Sequence, residues 1–291
     1  MDPSIQSRQL AIGGRTVRYL CAEPIGQPAP AGVVVFLHAF PLNAGMWAGQ
    51  LAALPPGWAA VAPDFRGFGA SAPDSAELPP RADADLNDYV DDVLAVMDAE
   101  RVRRGVVCGC SMGGYTAFAL LRRAAERVAG LVLVDTRATG DTARDRASRA
   151  AMLELLAAQG PAVIAEQMLP RLLGESTRAA GTAVEGEVRR LAGAATPSGV
   201  GHAIVRMMNR ADATPILAAV ACPTLVVAGE EDVLIPAAEA EVLKRGIPGS
   251  RLVMIPRAGH LPNLEQPDAF NAVLTSWLGE VVRPESRTPN P

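Results

Sequence analysis

Residues Gly109-Cys110-Ser111-Met112-Gly113 stand between the apolar run 106–108 and the Ala/Leu-rich stretch 115–121. Gly-x-Ser-x-Gly in that setting predicts a strand, a sharp turn and a helix, in that order. The turn carries the serine oxygen out over the C-terminal end of a buried strand and onto the positive end of the following helix. Such a turn is strained and leaves little room for a Cβ on either side of the serine, which accounts for both glycines. The five residues alone also fit an ordinary Gly/Ser-rich loop. Their place between a strand pattern and a helix pattern separates the two readings and favours a nucleophile at Ser111.

The rest of the chain repeats that alternation. Short apolar runs at 33–37, 59–62, 106–108, 131–134, 224–228 and 251–255 are mostly continuous, as strands buried on both faces of a parallel sheet are. Between them lie helical stripes, one marked by Tyr89, Val90, Val93, Leu94 and Met97, another by Ala269, Phe270, Val273, Leu274 and Trp277. Alternating strand and helix predicts an α/β fold with right-handed crossovers. Segments 9–12 and 16–21 have only Gly13-Gly14 near their junction, which predicts an antiparallel hairpin on one edge of the sheet. Between 136 and 213 the rhythm breaks. That stretch has no convincing strand and shows helical windows near 145–158, 162–173 and 202–209. Its length predicts a helical insertion above the C-terminal edge of the sheet rather than an ordinary crossover. The expected organisation is a core of residues 1–135 and 214–282, a helical cap of 136–213, and a polar, proline-rich disordered tail, 283–291.

Bulk properties narrow the function classes. With 291 residues, 49% of them hydrophobic, the chain can build a sizeable core. A net charge of −4 without a basic stripe argues against nucleic-acid binding. No run approaches the roughly 18–20 apolar residues of a membrane span, and the first twenty residues lack a cationic start followed by an apolar block, so the expectation is a cytoplasmic protein. The four cysteines are Cys21, Cys108, Cys110 and Cys222. Cys108 and Cys110 share a strand face and read as small core residues. No second Cys/His pair has ligand spacing, so no metal site is expected.

A serine hydroxyl needs a base to take its proton and a third group to orient that base. Only three histidines are available: His38, His202 and His260. His260 follows the run 251–255 on a loop, where it can reach a serine at a neighbouring strand end, and it is the expected base. His38 ends the run 33–37, in the loop expected to supply an oxyanion donor, and reads as a structural hydrogen-bonder. His202 falls in the helical insertion as a solvated or packing residue. For the acid, Asp232 follows the run 224–228 and completes the order nucleophile, acid, base. Glu230 and Glu231 beside it read as solvated. Asp135 also follows a strand and competes, although it opens the insertion and could cap a helix or pair with Arg137.

Five landmarks in order, along most of residues 9–278, resemble the α/β-hydrolase superfamily: His38-Ala39-Phe40-Pro41, Asp64-Phe65-Arg66-Gly67-Phe68-Gly69-Ala70-Ser71, the turn at Ser111, Asp232, and Gly259-His260. The nearest flavour is the group of 3-oxoadipate enol-lactonase-like hydrolases, cofactor-free perhydrolases and small carboxylesterases. The resemblance implies a mainly parallel eight-stranded sheet flanked by helices, with a helical cap inserted after the sixth strand. It implies a Ser111–His260–Asp232 triad and an oxyanion hole built by the backbone N–H groups of Phe40 and Met112. It further implies a small-molecule ester or lactone as substrate and no cofactor, with perhydrolysis or C–C bond cleavage on the same triad as the alternative and a non-catalytic binding protein as a weaker one. Oligomeric state is left open. Ala39 stands where the family usually has glycine, which restricts the backbone if φ there is positive. Met152, Leu155, Met168, Leu169, Leu172, Met207 and Met208 are candidates to line an acyl pocket, each equally able to serve as packing.

Overall fold

The continuous apolar runs become strands buried on both faces. In a computed structural model, which describes residues 5–23, 30–73 and 80–281, the strands are β1 (Ile5–Ile12), β2 (Arg15–Ala22), β3 (Gly32–Leu37), β4 (Trp58–Pro63), β5 (Gly105–Cys110), β6 (Val128–Val134), β7 (Thr224–Gly229) and β8 (Arg251–Ile255). They form one eight-stranded sheet in the order β1-β2-β4-β3-β5-β6-β7-β8. The β1/β2 hairpin lies at one edge and is antiparallel to its neighbour β4, while β4 through β8 run parallel. Every residue of β5 and β7 is buried, whereas edge strand β1 is largely exposed along its length. This is the expected fold class, with the hairpin in its expected place.

The helices are α1 (Ala48–Ala52), α2 (Asn87–Ala99), α3 (Met112–Ala124), α4 (Ala143–Gln159), α5 (Pro161–Leu172), α6 (Glu175–Ala180), α7 (Val184–Ala192), α8 (Pro197–Asn209), α9 (Ala237–Gly246), α10 (Pro262–Glu265) and α11 (Pro267–Val281). Successive strand side chains point to opposite faces, which divides the core in two. Val35, Leu37, Val107, Leu131 and Leu133 pack with Tyr89, Val93 and Met97 of α2 and with Phe118 and Leu120 of α3. Val34, Phe36, Cys108, Val132 and Val227 pack with Leu51 of α1 and with Phe270, Leu274 and Trp277 of α11.

Helices α4 to α8 fill the interval between β6 and β7. Leu156, Ile164 and Ile204 join the first core cluster, and Leu169, Leu172, Val188 and Leu191 join the second. Helices α4, α5 and α8 match the expected windows; α6 and α7 were not anticipated. The first has only six residues, ESTRAA, without an apolar stripe, and the second, VEGEVRRLA, is interrupted by Gly186. The residues expected to form a tail, 283–291, lie outside the described residues.

The parallel strands deliver their loops to one edge. β5 ends at Ser111, β6 at Asp135, β7 leads to Asp232 and β8 to His260. Because β3 pairs with both β4 and β5, chain order reverses there, and ligands of open α/β sheets bind at the C-terminal strand ends beside such a reversal.

Candidate active site

Ser111 sits at φ 53°, ψ −112° between β5 and α3, a conformation that costs a non-glycine residue roughly 1–3 kcal/mol. Surrounding bonds over-determine it. Its N–H donates to Val134 O at 2.9 Å. Its carbonyl accepts from the N–H groups of Gly114 (2.9 Å) and Tyr115 (3.1 Å) and from the Thr136 hydroxyl (2.9 Å). The glycines are enforced by close approach: a Cβ on Gly113 would lie 2.1 Å from Leu37 O, and one on Gly109 would lie 2.4 Å from the Gly113 carbonyl carbon.

His260 is buried, and its Nδ1 lies 2.8 Å from Asp232 Oδ2. The other Asp232 oxygen accepts from the N–H groups of Leu234 (2.7 Å) and Ile235 (3.2 Å). Burial pushes the Asp232 carboxyl up, but the His260 ring and these N–H donors outweigh it and hold the group below the usual aspartate range. An ionised carboxylate only accepts, so Nδ1 carries the proton in the neutral ring and Nε2 keeps its lone pair, the state a general base requires. Ser111 and His260 line one cavity of about 140 Å³ together with Phe40, Tyr115, Leu234 and Ile235.

Asp135 belongs to the same cluster without touching the imidazole as Asp232 does. It is buried, with φ 40°, and Oδ1 accepts from Gly229 N–H at 2.9 Å, while Oδ2 has no hydrogen-bond partner among the described residues. Burial, reinforced by the Asp232 charge, pushes its carboxyl well above the usual range. It neither caps a helix nor pairs with Arg137, which bridges to Asp141 and Asp145 instead. Asp135, Asp232 and His260 are also the one grouping of metal-ligand types among the described residues, their nearest ligand atoms within 4.8 Å of one another. The Nδ1–Oδ2 bond already engages two of the three.

Glu265 was not anticipated. On α10, five residues after His260, its Oε1 accepts from the N–H groups of Gly259 (2.9 Å) and Leu261 (3.1 Å), the two neighbours of the histidine. Its Oε2 accepts from Gly174 N–H and the Thr177 hydroxyl, both at 2.7 Å, at the start of α6. His260 N–H itself donates to Leu172 O at 3.1 Å. The inserted helices and the histidine loop therefore share one buried carboxylate. Glu231, expected to be solvated, also reaches this junction and accepts from Ser176 N–H at 2.8 Å.

The remaining histidines are structural. His38 is fully buried, accepts from Phe65 N–H at Nε2 (2.9 Å) and donates from Nδ1 to Ala39 O (3.0 Å); burial lowers its pKa to about 4. His202 is buried rather than solvated, with Nδ1 bonded to Ser198 O (2.8 Å) and Nε2 accepting from Arg81 N–H (3.2 Å). Ala39 does not adopt a positive φ, so its methyl group adds no strain to that loop. Met112 opens α3, where the first N–H groups have no intrahelical partner, and Phe40 lines the cavity. Of the candidate acyl-pocket residues, Met152, Met168 and Met207 line it; Leu155, Leu169, Leu172 and Met208 do not and pack in the core clusters instead.

Comparison with known proteins shows the family and the fold. Residues 34–273 match the model of the alpha/beta hydrolase family. The 3-oxoadipate enol-lactonase 1 of Acinetobacter baylyi is 27% identical over 257 residues, spanning 88% of this chain and 92% of that protein. Among solved structures, a thermophilic esterase from Thermogutta terrifontis superposes with a TM-score of 0.84 at 35% identity, covering 96% of this chain and 100% of that one. The enol-lactonase from Burkholderia xenovorans LB400 gives 0.82 at 26% identity, covering 94% and 100%.

Proposed function

Since the chain belongs to the alpha/beta hydrolase family, we propose that it cleaves a carboxylic ester or lactone through an acyl-enzyme on Ser111, His260 and Asp232. The observation that carries this reading is the 2.8 Å bond from His260 Nδ1 to Asp232, which leaves Nε2 as the free base of a ring that shares its cavity with Ser111. The esterase and enol-lactonase relatives support the reaction class.

In this mechanism Ser111 Oγ attacks the carbonyl carbon as His260 Nε2 takes its proton. The carbonyl oxygen becomes an oxyanion held by the N–H groups of Met112 and Phe40, each such donor contributing about 3–4 kcal/mol to the transition state. Asp232 stabilises the imidazolium, which then protonates the departing alkoxide. Water enters, gives its proton to Nε2 and attacks the acyl carbon; collapse releases the carboxylic acid and returns the proton to Ser111. In a lactone the protonated leaving oxygen stays part of the acyl group, so water releases a single hydroxy acid, or its keto tautomer from an enol-lactone.

The test is covalent labelling with a serine-directed phosphonate, read by peptide mass mapping, beside turnover of short p-nitrophenyl esters. Ser111 should be labelled stoichiometrically, and Ser111→Ala should lose nearly all turnover while keeping its melting temperature. Labelling at Ser71 or Ser198 with Ser111 untouched would remove the assignment.

A further inference from the structure

Tyr115 lines the cavity above Ser111 and also a second, larger cavity of about 290 Å³. No other described residue lines both. Tyr115 stands one helical turn after the nucleophile on α3. Ala119, a further turn along, lies on the same helix face and lines the second cavity only. That cavity is apolar within, where Leu86 and Phe118 are buried, and it reaches solvent at the exposed Arg122 and Arg123. Both arginines are engaged: Arg123 pairs with Asp91, and Arg122 donates to the Asp212 carbonyl. The Tyr115 ring is held in place by Arg210, whose guanidinium lies 4.2 Å from the ring centroid as a cation–π contact. Arg210 in turn is fixed by Asp141, by Met207 O at 2.8 Å and by Thr139 O at 3.0 Å, and its charge also acts on Asp212. Its charge is therefore met, and it serves as a buttress.

A tyrosine that only fills a core has atoms packed on every side, since protein interiors hold few voids larger than a water molecule. This ring is only 5% exposed, yet it borders two cavities. Truncating it would join the 140 Å³ above the nucleophile to the 290 Å³ beyond. Resting on the hydrolase reading above, we infer that Tyr115, buttressed by Arg210, is the end wall that limits the length of one uncharged arm of the ester. The protein then takes short-chain substrates and leaves the second cavity unused. Past the wall, the apolar lining would reward a longer chain, each buried methylene contributing about fourfold in binding.

The experiment measures kcat/KM along two series: p-nitrophenyl acetate, butyrate and octanoate for the acyl arm, and methyl, butyl and octyl acetate for the alkoxy arm. In at least one series the unaltered protein should disfavour the eight-carbon ester. In Tyr115→Ala the long-to-short ratio of that series should rise by about tenfold or more, the contribution of two buried methylenes. Tyr115→Phe, which keeps the ring, should hold the parent ratio. Ala119→Phe, added to Tyr115→Ala, puts a ring into the second cavity and should return the ratio to the parent value. If circular dichroism shows Tyr115→Ala unfolded, Tyr115→Leu carries the same test with a smaller rise. Equal turnover of long and short esters by the unaltered protein in both series would overturn the length limit while leaving the hydrolase reading intact. So would a ratio unmoved by truncation, or a gain that Ala119→Phe fails to cancel. If no ester turns over, the hydrolase reading fails, and calorimetric titration with 1-octanol decides the wall. Tyr115→Ala should bind 1-octanol at least about tenfold more tightly than the parent, and equal affinity would overturn the inference.

Discussion

At the scale of single residues, the site holds two aspartates in opposite environments. Asp232 receives three donors and is held ionised; Asp135 receives one and is pushed towards its protonated form. This divides their roles. Asp232→Asn presents an amide to His260 and favours the wrong tautomer, so kcat on a neutral ester should fall at least roughly a hundredfold, within the range known for such a change. In Asp135→Asn the amide oxygen still accepts from Gly229 and its NH₂ can face Asp232, so kcat should fall by less than about tenfold. The reverse pattern would exchange the two roles. The stability consequence has a definite sign. A buried carboxyl with a raised pKa binds a proton in the folded chain that the unfolded chain releases above about pH 4, so the fold loses stability through this group as pH rises. Asp135→Asn removes that loss, and its stability relative to the parent should increase between about pH 4.5 and 7 in urea unfolding. Ser111, Asp232 and His260 were legible in the sequence because each follows a strand pattern and their order is diagnostic. The partnership of Asp135 with Gly229 and the fourfold bonding of Glu265 were not. Their partners stand 94 and up to 91 residues away, and a buried acid looks like a solvated one until the fold encloses it.

At the scale of elements, the strands were legible but too short. The run 106–108 extends to Gly105–Cys110 and the run 131–134 to Val128–Val134, because Gly109 and Gly130 look like breakers in the sequence. Gly109 is instead the space into which the turn folds back. Helix α6 carries too little periodicity to be read, and α7, whose Val184, Val188 and Leu191 are helically spaced, is short and interrupted by Gly186, yet α6 opens on the junction with Glu265. That junction makes α10 a positioning element. Glu265→Gln places an NH₂ among four donors and should cost roughly 2–3 kcal/mol of stability. If the carboxylate also orients His260, kcat on a neutral ester should fall several-fold at temperatures well below melting, with KM little changed. A lower melting temperature with unaltered kcat would leave Glu265 a purely structural clasp.

For the whole molecule, the inserted helices are part of the core. Leu156, Ile164, Leu169, Leu172, Val188, Leu191 and Ile204 are buried with strand and helix residues of the sheet layers, and Leu172 O binds the His260 backbone. Replacing 143–209 by a short linker should therefore yield an aggregating or unfolded chain rather than an open, more permissive hydrolase, as size-exclusion chromatography and near-ultraviolet circular dichroism would show. A folded, active remnant would contradict this. The interleaving of sheet and insertion also bears on how the chain is born. On the ribosome β6, with its run Val-Ala-Gly-Leu-Val-Leu-Val, is complete long before its neighbour β7, since all of α4 to α8 is translated in between. During that interval a growing sheet has an apolar, unpaired rim, the kind of edge that recruits other strands. The nascent chain already carries Ser111 but has neither Asp232 nor His260, so on the mechanism proposed above it is sticky and lacks its base until residue 260 is made. Any factor that shelters this protein during synthesis has its work concentrated in that window.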